Sequence, residues 1–130
     1  MNKKIILIDD DELLCRELSQ LLKEEGFEAE AYSNSELGLN KLLKNNYGLL
    51  LLDLKMPKIG GREILKAAKE RGLKTKIIII TGNPIFSSFL GKQALNDSTD
   101  SDELGFADFI FNKPFDPELL LAKINELLAG

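Results

Sequence analysis

The amino-acid sequence predicts an α/β fold in which helices cover both faces of a parallel sheet. Short apolar runs alternate with longer amphipathic segments, in the pattern of five βα units along the 130 residues. The runs at 5–8, 49–52 and 77–80 consist only of leucine and isoleucine, which is typical of parallel strands buried on both faces. Right-handed crossovers would place the helices on the two sides of that sheet.

Local signals set the bounds of the predicted elements. Strands are predicted for residues 5–8, 27–32, 49–52, 77–80 and 107–111. Helices are predicted for residues 12–25, 36–45 and 62–71 and for a C-terminal segment that begins at residue 117. Asp11, Ser35 and Asp116 precede three of these helices and are residue types that cap helix N-termini. Five side chains of the C-terminal helix are predicted to face the core, those of Leu119, Leu120, Ile124, Leu127 and Leu128.

Length and composition favour one domain over residues 1–130, with no linker or second domain visible in the sequence. The net charge of −4 argues against direct nucleic-acid binding, which needs clustered lysine and arginine. Cys15 is the only cysteine, so no disulfide can form within the chain and a cytoplasmic location is expected. The apolar run at 5–8 leads directly into three aspartates, so it predicts neither a signal peptide nor a membrane span.

Polar residues follow four of the predicted strands. Asp9 and Asp10 follow the first strand, Asp53 the third, Thr81 the fourth and Lys113 the fifth. The carboxyl ends of parallel strands lie at one edge of the sheet, where α/β proteins form their sites. Each residue alone has an ordinary explanation, such as a turn former for an aspartate. A shared site explains all of them together.

The residue types at this edge favour metal-assisted phosphoryl chemistry. Clustered carboxylates repel one another, and a divalent cation relieves the repulsion. Ligands that are all oxygen suit Mg²⁺. Asp53 can then attack a phosphoryl group to form an aspartyl phosphate, while Thr81 can donate to a phosphoryl oxygen and Lys113 supplies a positive charge. The chain has no histidine, so a phosphohistidine donor would be a separate molecule or domain.

Four motifs, in order along the chain, resemble those of the response regulator receiver domain. They are the run from Ile5 to Asp11, the segment from Leu51 to Pro57 with Gly61, the triplet Ile80-Thr81-Gly82, and Asn112-Lys113-Pro114-Phe115. The resemblance covers essentially the whole chain and implies a flavodoxin-like sandwich of three layers with the strand order 2-1-3-4-5.

The resemblance also implies a metal site. Asp9 and Asp10 match the acidic pair of the family, with Asp10 a direct Mg²⁺ ligand and Asp9 acting through water. Asp53 and the backbone carbonyl of Lys55 complete the implied protein ligands.

In the family, a histidine kinase or phosphotransfer domain donates the phosphoryl group to the residue that Asp53 matches. Thr81 and Lys113 match the switch hydroxyl and the phosphate-binding lysine. Such a domain is not an enzyme in the usual sense, since it catalyses only its own phosphorylation and dephosphorylation. Phosphorylation reshapes a face made by the fourth helix, fifth strand and fifth helix, which contacts an output domain or a downstream protein.

The sequence departs from the family pattern in two places. The switch aromatic of the family lies three residues before the lysine, where this chain has Ile110, although one extra residue in the strand would instead put Phe109 there. We prefer Ile110, because an insertion inside a buried strand is costly. The stretch from Thr81 to Lys113 is about ten residues longer than is usual in the family. The extra residues fall within 82–105, and long loops in compact domains are commonly functional or mobile.

Two other functions remain open from the sequence. A pseudo-receiver would only bind partners, but such domains usually lack an acidic residue, the threonine or the lysine, and this chain has them all. A phosphatase of the haloacid dehalogenase type would need a second aspartate two residues after its nucleophile. That position holds Lys55.

Overall fold

A parallel sheet of five strands forms the centre of the protein. The computed structural model describes residues 2–82 and 105–129. The strands are β1 (Lys4–Ile8), β2 (Glu28–Tyr32), β3 (Leu49–Leu52), β4 (Lys76–Thr81) and β5 (Phe109–Asn112). The helices are α1 (Glu12–Glu24), α2 (Ser35–Lys44), α3 (Gly61–Glu70) and α4 (Pro117–Ala129). All the strands are parallel, in the order β2-β1-β3-β4-β5, so the predicted fold class is confirmed.

The helices form a layer on each face of the sheet. Leu18 and Leu22 of α1 share one buried cluster with Leu120 and Ile124 of α4. The other face of the sheet is covered by α2 and α3, whose buried side chains there are Leu42, Ile64, Leu65 and Ala68. The Ile/Leu runs of β1, β3 and β4 lie between these layers and are almost completely buried, as predicted. No helix in the described ranges is long and apolar enough to span a membrane.

Helix α2 lies close to β1, and this explains a glycine that weakens the helix. A Cβ at Gly38 would lie 2.9 to 3.0 Å from side-chain carbons of Ile8. Glycine costs roughly 1 kcal/mol in a helix interior compared with alanine. Here it lets the helix approach the sheet at the strand that ends beside Asp9.

The predicted cap of α2 was wrong. Asn34, not Ser35, is the N-cap, and its side chain accepts a hydrogen bond from the Leu37 N–H at 3.1 Å. The other two caps are confirmed, since Asp11 accepts from the Leu14 N–H at 3.1 Å and Asp116 accepts from the Glu118 N–H at 2.9 Å.

Two further expectations need correction. Leu119 is 61% exposed and does not face the core, whereas its neighbour Leu120 is completely buried. The last strand begins at Phe109 rather than residue 107. Before it, Asp108 bonds to Ile77 through both its backbone and its side chain: its N–H donates to the Ile77 carbonyl, and its carboxylate accepts from the Ile77 N–H at 2.8 Å. The carboxylate thus takes the place of a strand carbonyl.

Candidate functional site

Hydrogen bonds beyond the strand ends place the predicted site residues next to one another. The Asp53 N–H donates to the Ile8 carbonyl at 3.0 Å, which extends the β1–β3 pairing to the first residue after β3. The Lys113 N–H donates to the Thr81 carbonyl at 2.8 Å and likewise extends the β4–β5 pairing to the first residue after β5. The residues that follow these strands therefore meet at one edge of the sheet, as predicted.

Three aspartates form a cluster at this edge. Carboxylate oxygens of Asp9, Asp10 and Asp53, one from each residue, lie within 4.8 Å of one another. Asp9 and Asp53 are buried, at 0% and 5% exposure, while Asp10 is exposed. Carboxylates at such distances can share a hard divalent cation of the Mg²⁺ or Ca²⁺ type. The arrangement thus fits the metal that the residue types suggested.

Lys113 neutralises part of this charge. Its Nζ donates to Oδ2 of Asp9 at 2.8 Å, while the Asp11 N–H donates to Oδ1 of Asp9 at 2.9 Å. Burial alone would lower the pKa of Lys113, but the hydrogen bond and charge of Asp9 raise it above its usual value. Lys113 is therefore a permanent cation within the site. Its peptide bond to Pro114 is cis.

The two buried carboxyls hold their protons more tightly than usual. The pKa of Asp53 is raised to about 6, first by burial and then by the charge of Asp9, although Lys113 opposes both. Burial also raises the pKa of Asp9 and outweighs the hydrogen bond from Lys113. Burial is the largest cause of both raised pKa values, because a buried carboxylate loses the water that stabilises its negative charge. The same loss of solvent favours a bound cation, which would supply the missing positive charge.

The loop between β3 and α3 packs tightly beneath Asp53. The Gly61 N–H donates to the Leu54 carbonyl at 2.9 Å. A Cβ at Gly61 would overlap the Asp53 carbonyl oxygen and the Cα of Leu54, both of which are backbone atoms that cannot rotate away. The glycine of the sequence motif is therefore required by this close approach.

Lys55 lies in this loop with its side chain exposed. Its backbone N–H is 3.5 Å from Oδ1 of Asp53, a long hydrogen bond at the limit of useful geometry. The ammonium group thus has solvent around it, while the backbone of the same residue borders the acidic cluster.

Thr81 is completely buried at the end of β4. The pairing of β4 with β5 runs residue for residue, from Ile78 with Phe109 to Thr81 with Asn112, so β5 holds no extra residue between 109 and 112. Ile110 packs with the cluster on the α2 and α3 face. Phe109 is 39% exposed and lies on the opposite face, with its ring 4.3 Å from Nζ of Lys123.

Sequence reasoning missed two side chains that support this region. The Cys15 Sγ donates to the Asp9 carbonyl at 3.1 Å, and this buried thiol has its pKa raised to about 11, first by burial and then by the charge of Asp9. Ser35 bonds to the β3–α3 loop, 22 and 24 residues along the chain. Neither contact has a local sequence signal, because each depends on how distant elements pack.

Comparison with known proteins identifies the family. The model of the response regulator receiver domain matches residues 5–125. The chain belongs to the response regulator receiver domain family. Members of this family are signalling switches of two-component systems rather than enzymes in the usual sense.

Relatives and solved structures agree with this assignment. The response regulator ArlR of Staphylococcus saprophyticus is 35% identical over 125 residues, which cover 96% of this chain and 52% of ArlR. A CheY-like receiver domain protein from Methanospirillum hungatei has a TM-score of 0.79 and 34% identity, with 99% of this chain and 95% of that chain covered. The response regulator TrrA of Thermotoga maritima, solved in complex with Mg²⁺–BeF, has a TM-score of 0.77 and 28% identity, with 98% and 99% covered.

The receiver chain spans about half the length of the curated relatives that it matches. The segment 83–104, which holds most of the predicted enlargement, lies outside the described residues. The enlargement of that segment relative to the family and its effect on an output surface therefore stay predictions.

Proposed function

We propose that this receiver domain accepts a phosphoryl group on Asp53, with Mg²⁺ as its cofactor, and signals by changing its binding to a partner. The observation that carries the proposal is the cluster of Asp9, Asp10 and Asp53 with oxygens within 4.8 Å, joined by Lys113. A signalling function of this kind is what the family performs, and the residue roles below are proposed for the positions of this chain that match the motifs of the family.

The metal would be held by Asp9, Asp10 and Asp53 together with the backbone carbonyl of Lys55. When bound, Mg²⁺ would neutralise the carboxylates and draw phosphoryl oxygens towards Asp53. Asp10 is the exposed member, so it is the carboxylate that an ion arriving from solvent meets first. Asp9, buried and already paired with Lys113, suits a role through water.

Asp53 would act as the nucleophile. One carboxylate oxygen forms a bond to phosphorus, and the bond from phosphorus to the donor breaks, with its electron pair leaving on the donor atom. From a phosphohistidine, the leaving nitrogen takes a proton from solvent. Because the chain has no histidine, this donor would be a histidine kinase or a phosphotransfer domain.

Lys113 and Thr81 would bind the transferred group. Transfer spreads negative charge over the phosphoryl oxygens, so a fixed cation lowers its free energy. Lys113 would turn from Asp9 towards these oxygens, and the hydroxyl of Thr81 would donate to one of them. The resulting change would reach a partner or an output domain through the face that includes β5 and the C-terminal helix α4, which corresponds to the fifth helix of the family.

Intact mass spectrometry tests this proposal. The protein is incubated with acetyl phosphate and Mg²⁺, and we expect a gain of one phosphoryl group that is lost in Asp53→Asn and when EDTA is added. Asp11→Asn is the matched control, because Asp11 caps α1 outside the cluster and asparagine also caps helices. A gain that persists in Asp53→Asn would contradict the assignment of Asp53. No gain in the wild type would favour the pseudo-receiver.

A further inference from the structure

The hydroxyl of Ser35 joins the start of α2 to the loop between β3 and α3. Its Oγ donates to the Pro57 carbonyl at 3.1 Å and accepts from the Ile59 N–H at 3.3 Å. The Ser35 residue is only 4% exposed. Because Asn34 caps α2 with its own side chain, the hydroxyl of Ser35 is not needed for the cap and is directed at the loop.

The two backbone groups held by Ser35 flank Lys58, whose backbone is left-handed with φ of 67°. This conformation is unfavourable for a residue with a Cβ and persists only where surrounding contacts hold it. One contact is the ion pair between Nζ of Lys58 and Oε1 of Glu36 at 3.6 Å, which is exposed and stabilises little. The two hydrogen bonds of the buried Ser35 hydroxyl therefore stabilise this conformation of the loop more than the exposed ion pair does.

A backbone hydrogen bond also joins the two ends of this loop next to Asp53. The Gly61 N–H bonds to the Leu54 carbonyl, so the start of the loop is tied to the first residue of α3. Ser35 ties the loop further along, at Pro57 and Ile59. Lys55 lies between these two attachments, and its carbonyl is the proposed backbone ligand of the metal. The position of that carbonyl thus depends on both.

We propose that Ser35 is a positioning residue for the metal site, whose hydroxyl holds the β3–α3 loop in the conformation that presents the Lys55 carbonyl to Mg²⁺. This inference rests on the proposed function. Ser35 has no hydrogen bond to the acidic cluster among the contacts of the described residues, so its loss acts through the loop. Removal of the Ser35 hydroxyl is expected to lower the affinity for Mg²⁺, whereas the phosphorylation rate at saturating Mg²⁺ is expected to stay near that of the wild type.

The test compares Ser35→Ala with Ser35→Thr, which keeps the hydroxyl, and with Ser33→Ala, a matched serine that lines the same groove beside Pro57. Calorimetric titration with Mg²⁺ gives the affinity, acetyl phosphate gives the phosphorylation rate, and thermal unfolding checks the fold. We expect Ser35→Ala to raise the Kd for Mg²⁺ by roughly tenfold, the lower end of the effect of removing a group that orients a ligand, because Ser35 acts through the loop. Ser33→Ala is expected to match the wild type and Ser35→Thr to stay within about twofold.

A Ser35→Ala variant that folds and binds Mg²⁺ with the wild-type Kd would overturn the inference. Amide hydrogen exchange in the wild type provides a second check that needs no variant. The Ile59 amide is expected to be protected, and exchange at the rate of an unstructured peptide would also overturn it. A wild type that neither binds Mg²⁺ nor gains a phosphoryl group would instead refute the proposed function, and the exchange result would still report on the Ser35 contact.

Discussion

Lys113 donates from Nζ to Oδ2 of the completely buried Asp9 at 2.8 Å, which links the residue after β5 to the residue after β1. This ion pair places a protein cation inside the cluster that is proposed to bind a metal ion. Lys113 and a bound Mg²⁺ would therefore both stabilise the charge of Asp9, so that each could partly replace the other.

Lys113→Met is expected to destabilise the metal-free protein. Asp9 would lose its counter-charge while buried, at a cost of about 2 kcal/mol, below that of a fully buried pair because Lys113 is partly exposed. Saturating Mg²⁺ should reduce the difference, since the metal ion supplies the missing positive charge. Urea unfolding with and without Mg²⁺ measures both effects, with Lys113→Arg as the control that keeps the charge. Equal stability of Lys113→Met and the wild type without metal would show that the pair contributes nothing.

Lys55→Met is expected to shorten the lifetime of the aspartyl phosphate. The exposed ammonium group of Lys55 is two residues from Asp53, so it can pair with the phosphoryl oxygens and compete with the attacking water. Without it, hydrolysis should become roughly threefold faster, an effect typical of an exposed ion pair. The decay of the phosphorylated mass after removal of acetyl phosphate measures this. Lys58→Met is the matched control, because Lys58 lies in the same loop but pairs with Glu36. Equal half-lives for Lys55→Met and the wild type would rule out the effect.

Gly61→Ala is expected to be strongly destabilising, in contrast to Gly60→Ala. The added Cβ at Gly61 meets the backbone of Asp53 and Leu54, whereas at Gly60 the nearest atom, the Leu54 carbonyl oxygen, is 3.5 Å away in ordinary contact. We expect Gly61→Ala to lower the free energy of unfolding by about 2 to 3 kcal/mol, and to slow phosphorylation by shifting Asp53. Gly60→Ala should stay within about 1 kcal/mol of the wild type. Chemical denaturation and mass spectrometry check these outcomes, and similar losses for the two variants would contradict the clash.

The fold and the site could be predicted from the sequence where local pattern and burial agree. The strands β1, β3 and β4 lie between helix layers, so each contains a run of four buried Ile or Leu side chains that is easy to recognise. The site residues lie at or directly after the carboxyl ends of these strands and β5, and parallel pairing brings such positions together whatever the conformation of the loops. The positions of Asp9, Asp53, Thr81 and Lys113 along the chain are therefore enough to assign them to one edge of the sheet.

The remaining features depend on contacts between distant segments. Asn34 and Ser35 are both capping residue types, and the choice between them is made by the contact of Ser35 with Pro57. Helix α4 has three successive leucines after Glu118, and helical periodicity alone does not tell which of them faces solvent. The start of β5 was misplaced for the same kind of reason, because the side chain of Asp108 replaces a strand hydrogen bond.

The last prediction concerns the pH dependence of stability and involves Glu30 on the edge strand β2. Oε1 of Glu30 accepts from the hydroxyls of Tyr32 at 2.9 Å and Tyr47 at 2.8 Å, and Oε2 is 3.6 Å from Nζ of Lys4. Burial alone would raise the pKa of Glu30, but these partners outweigh it and hold the pKa below its usual 4.5. The ionised form is therefore favoured by folding, as the two phenols donate to it.

A lowered pKa in the folded state gives stability above the unfolded pKa, and this stability is lost as the pH falls through the folded pKa. Glu30→Gln should therefore be less stable than the wild type near pH 7, by less than about 1 kcal/mol because a third of the side chain is exposed. The gap should narrow as the pH falls below 4.5, because the carboxylate of the unfolded chain takes up a proton first, and it should close once the pH is below the lowered pKa of the folded protein. Urea unfolding across this pH range measures the gap, with the exposed Glu28→Gln on the same strand as the control. A gap that stays constant or widens towards acid would mean that the carboxylate is not favoured by its tyrosine partners.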